Sequence, residues 1–242
     1  MNSKDTPQLV LPLFARVQQN WDNFVVGENQ LLVNAVEASV SEALTEQYPA
    51  VSLIFLAGSH GAGKSHLLFA LLGNLINSGH SNQVQYLDLE QEGRDHLGLA
   101  DIAPKKINLL DNVDVLAGDS NSERALFGVV EQIRQKQCTY IVTARSTLNE
   151  AAFELKDLAS RLGAGLQFNV SEMDDQQTQR AIAMRFKSMG LHVTEAVTSY
   201  ILTRFPRDKH KLFAALDALD AAALKEQRKI TIPFIRDTVL GN

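Results

Sequence analysis

The chain has 242 residues, enough for one large α/β domain or for a nucleotide-binding domain followed by a small second one. A hydrophobic share of 45% against 21% charged excludes a disordered chain, and no apolar run reaches the roughly 18 residues that would suggest a membrane span. A net charge of -5 argues against a dedicated nucleic-acid-binding surface, and the single cysteine, Cys138, excludes an intrachain disulfide, which fits a reducing cytosol.

Residues 1–20 are expected to form an extended arm: a polar lead, then Gln8-Leu9-Val10-Leu11-Pro12-Leu13, where Pro12 removes a backbone donor and disfavours helix at Leu11. Its apolar side chains either fold back on their own domain or dock in a partner's pocket. The N-terminus lacks the charged-then-apolar pattern of a signal peptide, so a cytoplasmic location is expected. Helical spacing of Leu32, Val36, Val40 and Leu44 predicts a helix from about Glu28 to Glu46.

Residues 58–65 read Gly-Ser-His-Gly-Ala-Gly-Lys-Ser and fit the phosphate-loop pattern G-x-x-x-x-G-K-S/T. An apolar, β-branched run, Val51–Ala57, precedes them, and a helical pattern from His66 to about Gly79 follows. Gly58, Gly61 and Gly63 permit positive φ and close approach of phosphate oxygens. Backbone N–H groups along Ser59, Ala62 and His66 add donors where the helix begins, Lys64 can reach β- and γ-phosphates, and the Ser65 hydroxyl is placed to ligate Mg²⁺. The expected ligand is a purine nucleoside di- or triphosphate. His60 is read as a variable loop position.

A second strand is predicted at Val84–Leu89, followed by a polar segment, Glu90–Asp95, and by Leu97–Ala100, whose pattern is weak. The run Ile107–Asp114 predicts a strand ending in Asp111, an acid placed to hold Mg²⁺ through water. Asn112 stands where hydrolytic ATPases of this type carry a second acid. It cannot accept a proton, so slow intrinsic hydrolysis and a resting ADP are expected. Asp114, two residues further on, is expected to face elsewhere.

A helix from about Ser122 to Gln137 leads to a strand at Thr139–Thr143. Arg145, just past it, either senses the γ-phosphate or is a solvated loop-tip residue. Gly165–Val170 completes five strands alternating with helices, which predicts a parallel sheet with right-handed crossovers. Start signals at Ser171 and Asp174, at Thr194, at Arg207 and at Thr231 with Pro233 predict a small all-helical lid. The expected organisation is an arm over 1–20, a nucleotide-binding α/β domain over 21–170 and a helical lid over 171–242.

The order of phosphate loop, Asp111 strand, Ser160-Arg161 turn and helical lid resembles the AAA+ ATPases from about residue 22 to the end. Within them it is similar to the DnaA branch. Asn23–Gly27 is similar to the stretch that packs on adenine in DnaA, which implies nucleotide contacts from Phe24, Val25 and Val26. Asp157–Leu162 is similar to the arginine-finger motif, and Arg207 matches the position of a lid arginine that touches nucleotide. The chain departs from DnaA in ending at the lid, without a helix-turn-helix, in Asn112, and in Arg145 where an acid is usual.

This trimmed form resembles the DnaA-homologous regulatory adaptors, and Gln8–Leu13 resembles a peptide that binds the DNA polymerase III beta sliding clamp. The resemblance implies a negative regulator of replication initiation that carries ADP, or ATP, with Mg²⁺ at Ser65 and Asp111. Gln8, Leu9, Leu11, Pro12 and Leu13 would dock it on the DNA-loaded clamp, while Arg161 acts in trans on DnaA-bound ATP. Its own ATPase would be weak or lacking. Sequence-specific DNA binding and membrane attachment are not expected, and a homo-oligomer is left open. The alternative is a free-standing AAA+ ATPase of helicase-loader type.

Overall fold

A computed structural model describes residues 20–45, 49–92 and 102–239. The arm residues Gln8, Leu9, Leu11, Pro12 and Leu13, and the segment Leu97–Ala100, lie outside the described residues.

Five strands form the sheet: β1 (Leu53–Ala57), β2 (Val84–Asp88), β3 (Ile107–Asp111), β4 (Thr139–Ala144) and β5 (Leu166–Asn169). All pairings are parallel, in the order β2-β3-β4-β1-β5, as the alternation of strands and helices predicted. Both faces of this sheet are covered, which is why its central strands read as unbroken apolar runs. Along β1, Ile54 and Leu56 pack into one core, while Leu53, Phe55 and Ala57 pack into the other. Gly165 sits so close to β1 that a Cβ there would lie 2.2 Å from the Leu53 carbonyl oxygen, so only glycine fits at the entry to β5.

Helices α1 (Gln30–Leu44) and α2 (Lys64–Asn77) cover the first face, burying Leu32, Val36 and Val40 and Leu67, Leu68 and Leu71. Helices α3 (Ser120–Gln135) and α4 (Lys156–Gly163) cover the second through Leu126, Val130 and Ile133 and through Leu158 and Leu162. Glu123 of α3 is buried and accepts the N–H groups of Gly118, Glu154 and Leu155, so its carboxylate fixes the approach to both helices.

The C-terminal helices α5 (Asp175–Ser188), α6 (Glu195–Arg204), α7 (Lys209–Glu226) and α8 (Ile232–Val239) enclose a third core around Phe186, Ile201, Leu216 and Phe234. An acid caps two of them: α5 begins just after Asp174, one of its expected start signals, whereas α7 begins after Asp208, two residues later than the expected start at Arg207. Asp174 accepts from the Gln177 N–H at 2.7 Å, and Asp208 accepts from the Lys211 N–H at 2.9 Å. The strand ends are flush, with Asp88 opposite Asp111 and Ala57 opposite both Ala144 and Asn169. They form the floor of a cleft that the lid roofs.

Candidate nucleotide site

The cleft has a volume of about 460 Å³ and lies outside the carboxyl ends of β1 to β4, where ligands bind in open parallel sheets. The phosphate loop enters it with Gly61 at φ 85° and Gly63 at φ 98°, a left-handed backbone that favours glycine. A Cβ on Gly61 would meet the Lys209 Cβ at 3.1 Å, so the lid rests directly on the loop. The Lys64 ammonium donates to the carbonyls of Gly58 at 2.6 Å and Ser59 at 2.9 Å. Burial lowers its pKa, while the charges of Asp111, Asp114 and Glu172 oppose that shift and Arg145 adds to it. The Ser59 hydroxyl donates to Glu172. His60, Ala62, Ser65 and His66 also line the cleft.

Asp111 is fully buried at the end of β3. One oxygen accepts from the Tyr86 hydroxyl at 2.8 Å and the other from the Thr143 hydroxyl. The Asn112 N–H donates back to the Thr143 oxygen at 3.0 Å, and the Asn112 side-chain amide donates to Asp88 at 3.1 Å. Asn112 therefore has a structural bond, made from a left-handed φ of 61° that asparagine tolerates. Asp114 does not line the cleft. Arg145 does line it, and its guanidinium donates to Glu90 at 2.7 Å.

Among the described residues no group of three or more His, Cys, Asp or Glu side chains could hold a metal unaided. Magnesium in such sites keeps several waters and phosphate oxygens and needs only one or two protein ligands. Ser65 and Asp111, both on the cleft wall, meet that requirement, with Asp88 beside them.

At the other end of the cleft, Phe24 packs edge-on against Trp21, with ring centroids 5.6 Å apart, and against His66 at 5.3 Å. His66 Nε2 meets two acceptors, Asn23 Oδ1 at 2.9 Å and the Asn20 carbonyl at 3.3 Å, so this nitrogen carries the proton. Burial pushes the His66 pKa down to about 4; the Asn20 bond opposes this and the Arg185 charge adds to it. Val25 lines the cleft, whereas Val26 packs into the core under α1 and α2.

The lid contributes Arg185, Lys209 and His210 to the cleft wall. Arg185 donates to Asp217 at 2.6 Å, Lys209 donates to the Thr178 hydroxyl at 2.6 Å, and the His210 ring lies 5.3 Å from that of His60. Arg207, expected here from the sequence, instead lines a separate hollow of about 190 Å³ with Glu172 and Pro206. The reason is the cap: with Asp208 closing the helix, Lys209 and His210 turn toward the phosphate loop and Arg207 stays outside the first turn. No motif marks Arg185, Lys209 or His210; their only signal is their place in capped helices beside the cleft. Arg161, on α4, does not line the cleft, and its Nε forms an ion pair with Glu131 at 2.7 Å.

The sequence profile of the bacterial DnaA ATPase domain matches residues 16–98, and the profile of the Hda lid domain matches residues 175–239. The chain is thus similar to the DnaA ATPase domain over its phosphate-loop half and to Hda over its lid. Its fold is similar to that of domain III of the Thermotoga maritima replication initiation protein DnaA, with a TM-score of 0.75 at 17% identity over 93% of this chain and 96% of that one. It is also similar to AMPPCP-bound DnaA from Aquifex aeolicus, at a TM-score of 0.65 and 22% identity over 86% of this chain and 67% of that one. The Thermotoga maritima RuvB Holliday junction branch migration motor matches at 0.63 and 14% identity, over 93% of this chain and 73% of that one. At these identities the likeness establishes the AAA+ fold. In this Hda-like chain the two profiles fall on the phosphate-loop half of the sheet and on the four-helix lid, the two walls of the cleft.

Proposed function

We propose that this Hda-like protein is a nucleotide-bound adaptor that docks on the DNA-loaded sliding clamp and stimulates hydrolysis of DnaA-bound ATP, the regulatory inactivation of DnaA. The observation that carries the reading is the placement of Arg161 in an Hda-type chain. It stands away from the chain's own cleft, with its side chain 43% exposed, as a finger acting in trans requires.

In the partner's site, water oxygen bonds to the γ-phosphorus as the bond to the β–γ bridging oxygen breaks. ADP leaves with that oxygen, and the water's proton goes with inorganic phosphate. Arg161 exchanges no proton; its permanent, planar charge stabilises the transferring phosphoryl group. A finger supplied in trans accelerates such a step by on the order of 10³- to 10⁵-fold.

The chain's own ligand in this reading is an adenine nucleotide, ADP or ATP, with Phe24 and Val25 on the base side and Val26 supporting them from the core. Gly58, Gly61, Gly63, Lys64 and Ser65 hold the phosphates, and Ser65 and Asp111 the magnesium-water shell. Lys209 and His210 take the lid contact that the sequence assigned to Arg207. Gln8, Leu9, Leu11, Pro12 and Leu13 supply the clamp contact; a short peptide binds weakly alone, and a multivalent clamp raises its effective concentration. Among the described residues no helix is long and apolar enough to cross a membrane, which supports a cytoplasmic setting.

The test is turnover of ATP prebound to DnaA, with DNA-loaded clamp present, comparing the intact protein with Arg161→Ala. Acceleration by the first and not the second is expected. No acceleration by either, with ATP turnover by the chain alone, would favour a free-standing ATPase.

A further inference from the structure

Glu131 lies on α3 and Arg161 on α4, the two helices that cover the second face of the sheet. Glu131 Oε1 forms an ion pair with Arg161 Nε at 2.7 Å and accepts from Arg134 Nε at 3.1 Å, while its Oε2 accepts from Arg134 Nη2 at 2.9 Å. Arg134, one turn further along the same helix, thus grips both oxygens and fixes the plane of the carboxylate. Arg161 contributes only its Nε. Its Nη1 and Nη2 have no partner among the described residues.

From this geometry we infer that Glu131, held by Arg134, is a positioning residue for Arg161, aiming the Nη1–Nη2 edge of its guanidinium outward at the terminal phosphate of a nucleotide bound to a partner module. The inference rests on the reading of Arg161 as a finger and adds how the finger is held.

Three physical points support it. Glu131 pairs with the guanidinium on its Nε side, which leaves the Nη1–Nη2 edge free to meet a partner, and that edge carries two parallel donors that match a pair of phosphate oxygens. An arginine stem is flexible, and an ion pair near its end removes rotamers that would have to be lost when the partner docks. Finally, two guanidiniums share one carboxylate, so the cluster keeps one net positive charge. A simple Arg–Glu pair would cancel the charge that the phosphoryl group must meet; Arg134 prevents that. The exposures fit the same roles, with the Glu131 side chain 17% exposed and that of Arg161 43%.

The experiment uses the full chain with ATP-loaded DnaA and DNA-loaded clamp, and reads two quantities: the maximal rate of ATP conversion and the concentration of this protein that gives half of it. Glu131→Ala is expected to lower the maximal rate by roughly 10- to 100-fold, the scale of a misplaced catalytic group, with the half-saturating concentration unchanged. Glu131→Gln keeps an acceptor oxygen at the same reach and is expected to recover most of the rate. Both variants should keep the thermal midpoint of the intact protein, since exposed ion pairs contribute little to stability.

A Glu131→Ala rate equal to that of the intact protein would overturn the inference, and a faster one would make Glu131 a restraint on the finger. A change confined to the half-saturating concentration would make it a docking contact and overturn the inference equally. If Arg161→Ala itself retains full activity, the finger reading fails and the inference falls with it. If Arg161→Ala is inactive while Glu131→Ala is not, the reading stands and only the role of Glu131 is lost.

Discussion

The carboxamide of Asn29 and the peptide group of Ser171, 142 positions apart, hold each other by two hydrogen bonds: the Ser171 N–H donates to Oδ1 at 2.8 Å, and Nδ2 donates to the Ser171 carbonyl at 3.1 Å. Asn29 ends the turn before α1, and Ser171 lies just beyond β5, on the approach to the lid. The base side of the cleft and the root of the lid are therefore tied at one point. Asn29→Ala strips partners from both backbone groups of Ser171, which should cost about 1–3 kcal/mol. Urea unfolding should show a lower midpoint with an unchanged slope.

Removing the phosphate-loop cation has a separate signature. Lys64→Ala should weaken adenine nucleotide binding by roughly 10- to 150-fold, the range of a hydrogen bond to a charged group. Lys64→Arg should not restore it, because the longer, planar head does not fit where an ammonium bonds the Gly58 and Ser59 carbonyls. Titration with a fluorescent ADP analogue checks both.

The buried imidazole of His66 links stability to pH. Its pKa is lowered from 6.5 to about 4, so between these values the unfolded chain binds more protons than the folded one. The contribution of His66 is complete above pH 6.5 and is lost as pH falls toward 4, by up to about 3 kcal/mol. Urea unfolding across this window should steepen with acid for the intact protein. His66→Gln keeps a donor for Asn23 and does not titrate, and should flatten that part of the profile.

Asn112 does more than replace an acid. Its amide donates to Asp88 at 3.1 Å, so Asn112→Asp sets two carboxylates against each other and removes that bond. A loss of about 1–3 kcal/mol at pH 7 is expected, shrinking at lower pH as the pair takes up a proton. Equal stability of the two proteins at pH 7 would mean that the Asp88 bond carries no weight.

The sequence made the sheet legible because burial on both faces leaves continuous apolar runs between turn signals: β2 begins at Val84 and β4 at Thr139, as read. The phosphate loop was legible because its glycines and Lys64 are adjacent in the chain. What stayed hidden are contacts made across long separations. Nothing local says that Glu131 meets Arg161, that Asn112 bonds Asp88, or that Asn29 reaches Ser171. The lid cations were misassigned for a more local reason: a shift of two residues at the Asp208 cap decides whether Arg207 or Lys209 faces the loop.

The flush alignment of strand ends has a further consequence. In parallel pairing a slip of one residue turns every side chain to the other face, so Asp111 would leave the cleft while Leu110 took its place. β3 is paired on both sides, and its register is held by Ile107, Leu109 and Leu110 in the two cores. The position of a carboxylate is thus encoded in greasy neighbours that never meet the ligand. Damage inherited at those apolar positions should surface first as lost nucleotide affinity, in a chain that still folds.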